Sequence, residues 1–421
     1  MTETAPWYMD GDAWTLVQQA DAPERNIYFE TVMSQANGLL GVRAYDEEAS
    51  GGRASVREGY LNGVFAEVDA EATRIIAGDF DWPTLQMVSL PEVFGCRLTL
   101  AGEALDLADG DVLAFERTLS LRDALLRREL TWRSPAGRTT RVVCERFLSA
   151  AAAALGCQRL QVEPVDWDGE VVLDFGFDAA VPSVFRCGNK AEPELPQHHF
   201  TVVDQGVDGQ TAWVAMTTNT TAHTLCVASR VRAAGQTQVT AAGARIGQQL
   251  THAVAPGTPA TAERCFAVVS DREADAPAAT ARELAAAAAF DDALAASRRV
   301  WQQRWRYMDV ELEGNDHDQK VIRYSLFQVL QMLPPASATL SIPARALSFN
   351  RYRGLYFWDT ETFILPVFTY ALPAGARDLL RFRTALLAGA RKTAAAKLGR
   401  EGALFPWMSD AEAGCDNSID G

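Results

Sequence analysis

Between Tyr352 and Tyr370 the chain reads YRGLYFWDTETFILPVFTY, which sets seven aromatic residues around Arg353, Asp359 and Glu361. A plain core helix would carry the aromatic residues without the charges. Flat aromatic faces beside a carboxylate and a guanidinium suit a sugar, because a pyranose offers an apolar face for stacking and a rim of hydroxyls for hydrogen bonds. The same residues also permit a helix start in which Asp359 caps and Trp358 packs inward. Breaking a glycosidic bond with inversion needs a carboxylic acid on the leaving-group side and an activated nucleophile on the other face of the sugar. Asp359 and Glu361 are two positions apart, so on a short rigid segment they cannot flank one bond, and neither suits the general acid.

Three helical stretches surround this segment. Asn315 or Asp316 can cap a helix in which Ile322, Leu326, Val329, Leu330 and Leu333 form an apolar stripe, stopped by Pro334-Pro335. A second helix starts near Trp358 and runs toward Ala371. A third carries Leu379, Phe382, Leu386 and Ala390 on one side and ends near Leu398, where Gly399 supplies a left-handed cap. Upstream, the Ala-rich segment from Ala276 to Asp309 places Leu294, Ser297, Trp301, Trp305 and Met308 on one face and reads as a linker helix.

Before Ser270 the periodicity is that of strands. Leu98 and Leu100 answer Leu105 and Leu107 across an Ala-Gly-Glu turn, a hairpin signal. Leu126, Arg128, Leu130 and Trp132 share one face while Arg127, Glu129, Thr131 and Arg133 share the other, so one side is buried and one wet. Further runs at Leu155 to Val162, Glu170 to Phe177, Thr211 to Thr217, His223 to Val231 and Ala262 to Val269 suit a large antiparallel sandwich. Such a domain serves as a structural platform or as a sugar binder. The pattern predicts a multidomain β + α chain, with an amino-terminal β-sandwich over 1–272, a helical linker over 273–310 and a helical domain over 311–421.

Composition narrows the function classes. The 421 residues carry a formal charge of −15 with no Lys/Arg cluster, which argues against nucleic acid. No apolar run approaches the roughly 20 residues of a spanning helix, and the start MTETAPWYMDGD lacks a signal core, so the expectation is a cytoplasmic protein without a membrane partner. Seven cysteines, Cys96, Cys144, Cys157, Cys187, Cys226, Cys265 and Cys415, form no CxxC pair and imply no disulfide framework. The pair His198-His199 is not expected to hold a metal, since adjacent strand residues face opposite ways and no further ligand stands at ligand spacing.

The run YRGLYFWDTETFILP resembles the start of the catalytic domain in glycoside hydrolase family 65, the maltose, trehalose and kojibiose phosphorylases with their hydrolytic relatives. SIPARALS (341–348) and GALFPWMSD (402–410) resemble the same family in the expected order. So do FETVMSQANGLLGVRAYDEE, with Asn37, Gly38, Gly41 and Arg43, then GYLNGVF from Gly59 and LPEVFG from Leu90. The resemblance implies that the helical domain is the incomplete start of an (α/α)6 barrel. It implies that Trp358 and Asp359 hold the glucosyl unit, with Arg353 and Trp407 as neighbours. A structural ion pair for Arg353 and a core position for Trp407 are the alternatives. Inverting phosphorolysis of an α-glucosyl disaccharide is the implied reaction, with inorganic phosphate as co-substrate, no cofactor and a homodimeric assembly. The family's general acid, a Glu, and its phosphate contacts are expected beyond Gly421, so no catalytic residue is assigned here and the 421-residue chain alone is expected to be inactive. A hydrolase of the family and a non-catalytic sugar-binding remnant are the other readings. Leu355, where relatives often carry His, and Met408, where several carry Glu, depart from the family pattern.

Overall fold

The computed structural model describes residues 11–48, 51, 53–69, 85–185 and 195–411. Cys187 and Cys415, two of the cysteines discussed above, lie outside them. The dominant element is a nine-stranded antiparallel sheet. Its strands run in the order Thr15–Gln18, Asp111–Ser120, Leu125–Arg133, Thr139–Leu148, Leu155–Pro164, Ala260–Ser270, Thr224–Ala233, Thr211–Thr218 and Phe200–Asp208. A second sheet, built on Arg245–Val254, Gly169–Asp174 and Arg97–Leu100, covers one end of it. Leu98, Leu100, Val171, Leu173 and Leu250 pack there against Leu130, Trp132, Val142 and Leu160. The predicted hairpin is present, with Arg97–Leu100 paired to Glu103–Ala104 and all four of its leucines buried.

The rest of the same face is covered by a four-stranded sheet formed from Gln35–Ala36, Leu40–Val42, Gly59–Glu67 and Leu85–Ser89. Strand alternation explains how one strand serves two cores. Phe266 and Val268 pack toward Leu40, Leu61 and Val88. Cys265, Ala267 and Val269 turn the other way and pack under Ala281, Ala285, Phe290 and Leu294. Both faces of this strand are therefore buried. The one-wet-face pattern holds on Leu125–Arg133, where Leu126, Arg128, Leu130 and Trp132 are buried and Arg133 is exposed.

The linker forms two helices, Pro277–Ala287 and Phe290–Met308, where the sequence predicts one. The chain is extended at Ala288 and Ala289, which lets the first helix lie on the sheet while the second leaves it. The predicted face of Leu294, Ser297, Trp301, Trp305 and Met308 is buried throughout. Trp301 stacks on Phe327 with ring centres 5.2 Å apart, and the Trp305 indole donates to the Leu121 carbonyl.

Asn315 caps the helix Asp316–Met332 by accepting from the Asp318 amide at 3.1 Å. Its buried side departs from the expected stripe. Gln319, Lys320, Arg323, Phe327, Leu330 and Gln331 are buried, whereas Ile322, Leu326 and Val329 are half-buried. Polar bridges to the β-rich part are the reason. The Arg323 guanidinium forks onto Asp309 with both contacts at 2.9 Å and lies 3.9 Å over Trp14, and Gln331 accepts from the Ala36 amide. The predicted third helix is two, Pro373–Ala385 and Leu387–Leu398, broken at Leu386 and closed by Gly399 at φ +59°. Leu379, Phe382, Leu386 and Ala390 are buried as their spacing predicts.

Candidate functional site

The segment from Ser341 to Ala371 is laid against the β-rich part by its backbone. Ala344–Leu347 precedes a turn in which Tyr352, Arg353 and Gly354 all occupy the left-handed region, at φ +60°, +61° and +67°. Two non-glycine residues in succession there are strained by about 1–3 kcal/mol each, so the surroundings must hold them. At Gly354 no side chain could fit, because a Cβ would stand 2.6 Å from the Cβ of Met87 in strand Leu85–Ser89. Leu355, Tyr356 and Phe357 then enter a core shared with Tyr60, Phe65 and Met87. Tyr356 is wholly buried and donates to Asn62 Oδ1 at 2.6 Å; the Asn62 amide in turn donates to the carbonyls of Gly38 and Ser341. Burial pushes the Tyr356 phenol far up, so it stays a donor.

Past Phe357 the chain reaches the surface, where a short antiparallel ladder decides which residues meet. Tyr356 pairs with Ser409 and Phe357 with Met408, and the Trp358 amide donates to the Trp407 carbonyl at 3.1 Å. The backbone thereby joins residues far apart in sequence, and both indoles lie at the surface. Trp358 is 57% exposed and Trp407 45%, with Phe357 packed edge-on to Trp407 at 5.3 Å. Both indoles are therefore surface groups of this chain. Asp359 is exposed, and its side chain makes no capping hydrogen bond, so the helix-cap alternative fails. Arg353 differs from these three, being buried in the left-handed turn with 4% of its surface exposed.

Instead of a regular helix start, Thr360–Ile364 makes a π-helical turn, followed by the helix Leu365–Ala371. Such turns are rare and often sit at functional sites. Thr360 ties it to the upstream SIPARALS run by donating to the Ile342 carbonyl. Glu361 faces Arg383 of the next helix at 2.9 Å, an ion pair whose alignment falls short of a hydrogen bond. Burial raises the Glu361 carboxyl, Arg383 opposes the rise, and nearby Asp359 adds to it. Sequence reasoning missed the partner Arg383, and no local signal marks it, since the two meet only across a helix pair. The Tyr356–Asn62 bond was missed for the same reason.

Elsewhere, His199 is buried against Gln86, which holds its pKa down to about 4 by desolvation, and His198 is exposed. Among the described residues no group of three or more His, Cys, Asp or Glu is placed to hold a metal, and no helix is long and apolar enough to cross a membrane.

An antiparallel β-rich part thus feeds a helical part, with two indoles and a carboxylate exposed where they join. The model of the glycosyl hydrolase family 65 N-terminal domain matches residues 16–304, and that of the family's central catalytic domain matches 323–419. The chain belongs to glycosyl hydrolase family 65. It is 28% identical over 416 residues to a kojibiose phosphorylase of Halothermothrix orenii, covering 94% of this chain and 50% of that protein. With the kojibiose phosphorylase of Escherichia coli it shares 30% identity over 391 residues, covering 90% and 48%. The fold matches a solved structure described as a candidate kojibiose phosphorylase from the human microbiome, with a TM-score of 0.85 at 22% identity, over 98% of this chain and 53% of that one. The chain thus spans about half the length of the curated relatives it matches.

Proposed function

We propose that this chain carries the glucosyl-holding part of an inverting phosphorylase for an α-linked glucose disaccharide. The observation that supports it is the ladder that sets Trp358 and Asp359 beside Trp407 on an exposed face. In this reading an indole stacks on the apolar face of the glucosyl ring and Asp359 accepts from its hydroxyls, while the strained turn at Arg353 and the Tyr356–Asn62 bond keep the segment from shifting. Phosphate attacks C1 from the face opposite the leaving oxygen as the glycosidic bond breaks, and a carboxylic acid protonates that oxygen. The products are glucose and β-glucose 1-phosphate. The acid and the phosphate contacts belong, on this proposal, to the portion of the catalytic domain that longer relatives carry after the matched half, where further helices complete an (α/α)6 barrel. Phosphate is a co-substrate, and no cofactor enters.

The test is phosphorolysis of kojibiose and trehalose, followed by NMR of the sugar phosphate and its anomeric configuration. The 421-residue chain alone is expected to release none. A version extended with the remaining catalytic half should give the β-anomer. In that version Asp359→Asn and Trp358→Ala should each lower the rate steeply; loss of a charge-assisted hydrogen bond of about 2 kcal/mol corresponds to roughly thirtyfold. Free glucose formed without phosphate would replace the phosphorylase reading with a hydrolase, and turnover by the short chain would overturn the placement of the acid.

A further inference from the structure

The β-rich part carries a concave site that shares no residue with the Trp358 face. It is a cleft of about 320 Å³ where the loop from Glu92 to Arg97 meets the segment from Asp174 to Pro182 and the start of strand Arg245–Val254. Its walls are held by bonds internal to the fold. Arg57 lies 4.5 Å over Tyr45, donates to Glu92 at 2.8 Å and donates to the backbone carbonyls of Asp46, Glu47 and Glu48. Opposite it, Arg245 donates to Asp174 Oδ2 at 2.8 Å, and Asp174 Oδ1 accepts from the Gly176 amide. Gly176 permits this closure, since a Cβ there would stand 2.9 Å from both the Arg245 and the Asp174 side chains.

Those bonds leave groups uncommitted. Arg97 makes no ion pair among the described residues, Arg245 and Glu92 are each engaged through one atom only, and Asp178 uses one oxygen to accept from the Ala180 amide. Guanidinium donors and carboxylate acceptors therefore alternate around one concavity. Three guanidiniums and four carboxylates line it. A fourth guanidinium, Arg264, stands directly behind the wall, donating to the Gly95 carbonyl at 3.1 Å and packing 5.7 Å from the Phe177 ring. Arg264 is fully buried, one of its terminal nitrogens has no hydrogen-bond partner, and burial draws its pKa down to about 10. Glu47 is already paired with Arg128 and Arg146, so the remaining lining charges are three guanidiniums against Glu92, Asp174 and Asp178, and the cleft selects neither an anion nor a cation.

Balanced charge with donors and acceptors interleaved is the complement of a neutral molecule rich in hydroxyls, each of which both donates and accepts. Phe177 is only 2% exposed, so the cleft has no open stacking platform of the kind a longer glycan chain would use. We propose that this cleft is a second, non-catalytic binding site for a single neutral sugar unit.

Isothermal titration and saturation-transfer NMR with glucose test the proposal on the 421-residue chain, with inorganic phosphate as a competing probe. Glucose binding should persist in Trp358→Ala, which alters only the other site. It should weaken by about tenfold or more when Arg97→Ala and Arg245→Gln are combined, since each removes a charged donor. Arg97→Ala alone removes an exposed side chain that makes no ion pair among the described residues, so the fold should keep its wild-type melting curve while glucose affinity falls. Three results would overturn the proposal: no glucose binding, binding that Trp358→Ala abolishes, or phosphate binding in the cleft that displaces glucose.

Discussion

Replacing Arg128 by Met should expose how the β-rich part tolerates three consecutive buried carboxylates. Asp46, Glu47 and Glu48 are all nearly inaccessible, and Arg128 reaches every one of them: Asp46 at 3.1 Å, Glu47 at 2.9 Å, and Glu48 through both oxygens, one at 2.6 Å. Arg117 also pairs with Asp46, and Arg146 with Glu47 at 3.1 Å. Glu48 has no second ion-pair partner among the described residues, so Arg128→Met strands one carboxylate and weakens two. Breaking a buried pair from one side costs about 3–5 kcal/mol. Spread over a domain of this size, that lowers Tm by on the order of 10 °C. The deficit should depend on pH. Burial already raises Glu48 above its ordinary 4.5 against the pull of Arg128, and the substitution removes that pull. A carboxyl raised in the folded state adds stability that is complete below the unfolded value and is lost as pH rises through the folded one, so the deficit should be larger at pH 8 than at pH 5. Calorimetric melting of the wild-type chain, Arg128→Met and Arg128→Met/Glu48→Gln across that range is the assay. The double variant should recover part of the loss, because it removes the stranded charge. A single variant within about 1 kcal/mol of wild type, or a double variant no better than the single, would refute the reasoning.

Other outcomes follow from the same packing. Tyr356→Phe leaves Asn62 Oδ1 without its donor in a dry core and should destabilise by about 1–3 kcal/mol, read by urea denaturation. At acid pH, burial would raise Asp46 but Arg117 and Arg128 hold it down to about 2, so its share of stability is present above its ordinary 3.8 and is lost as pH falls from there through about 2; melting between pH 5 and pH 2 should show this decline. Limited proteolysis should nick the exposed stretch from Glu311 to Asn315 and spare the linker, whose helix Pro277–Ala287 buries Ala281 and Ala285 on the sheet. Phe363, Tyr370, Leu380 and Leu398 are 71%, 91%, 49% and 56% exposed, so the 421-residue chain should bind a hydrophobic dye or form large assemblies in light scattering; a dye-silent monomer would count against an uncovered helical face.

Local periodicity was enough to place the strands, the hairpin at Ala101-Gly102, the buried linker face from Leu294 to Met308 and the Gly399 cap, because each depends on residues within a few positions of one another. Family 65 membership was legible for a similar reason, since long contiguous runs such as YRGLYFWDTETFILP carry it. Position in the tertiary structure decided what those runs do. Arg128 alternates with leucines and reads as an ordinary inward residue, yet it sits inside only because Asp46, Glu47 and Glu48, on the loop after strand Leu40–Val42, arrive to neutralise it. Trp358 and Trp407 were each compatible with a core, and a two-residue ladder with the hydrogen bond beside it turned both outward. The helix Asp316–Met332 buries Arg323 and Gln331 where apolar spacing favoured Ile322 and Leu326, because Asp309, Trp14 and the Ala36 amide supply partners that no helical period encodes. Burial of a charged or polar side chain depends on which distant group completes its hydrogen bonds, and that pairing exists only once the sheets and helices have met.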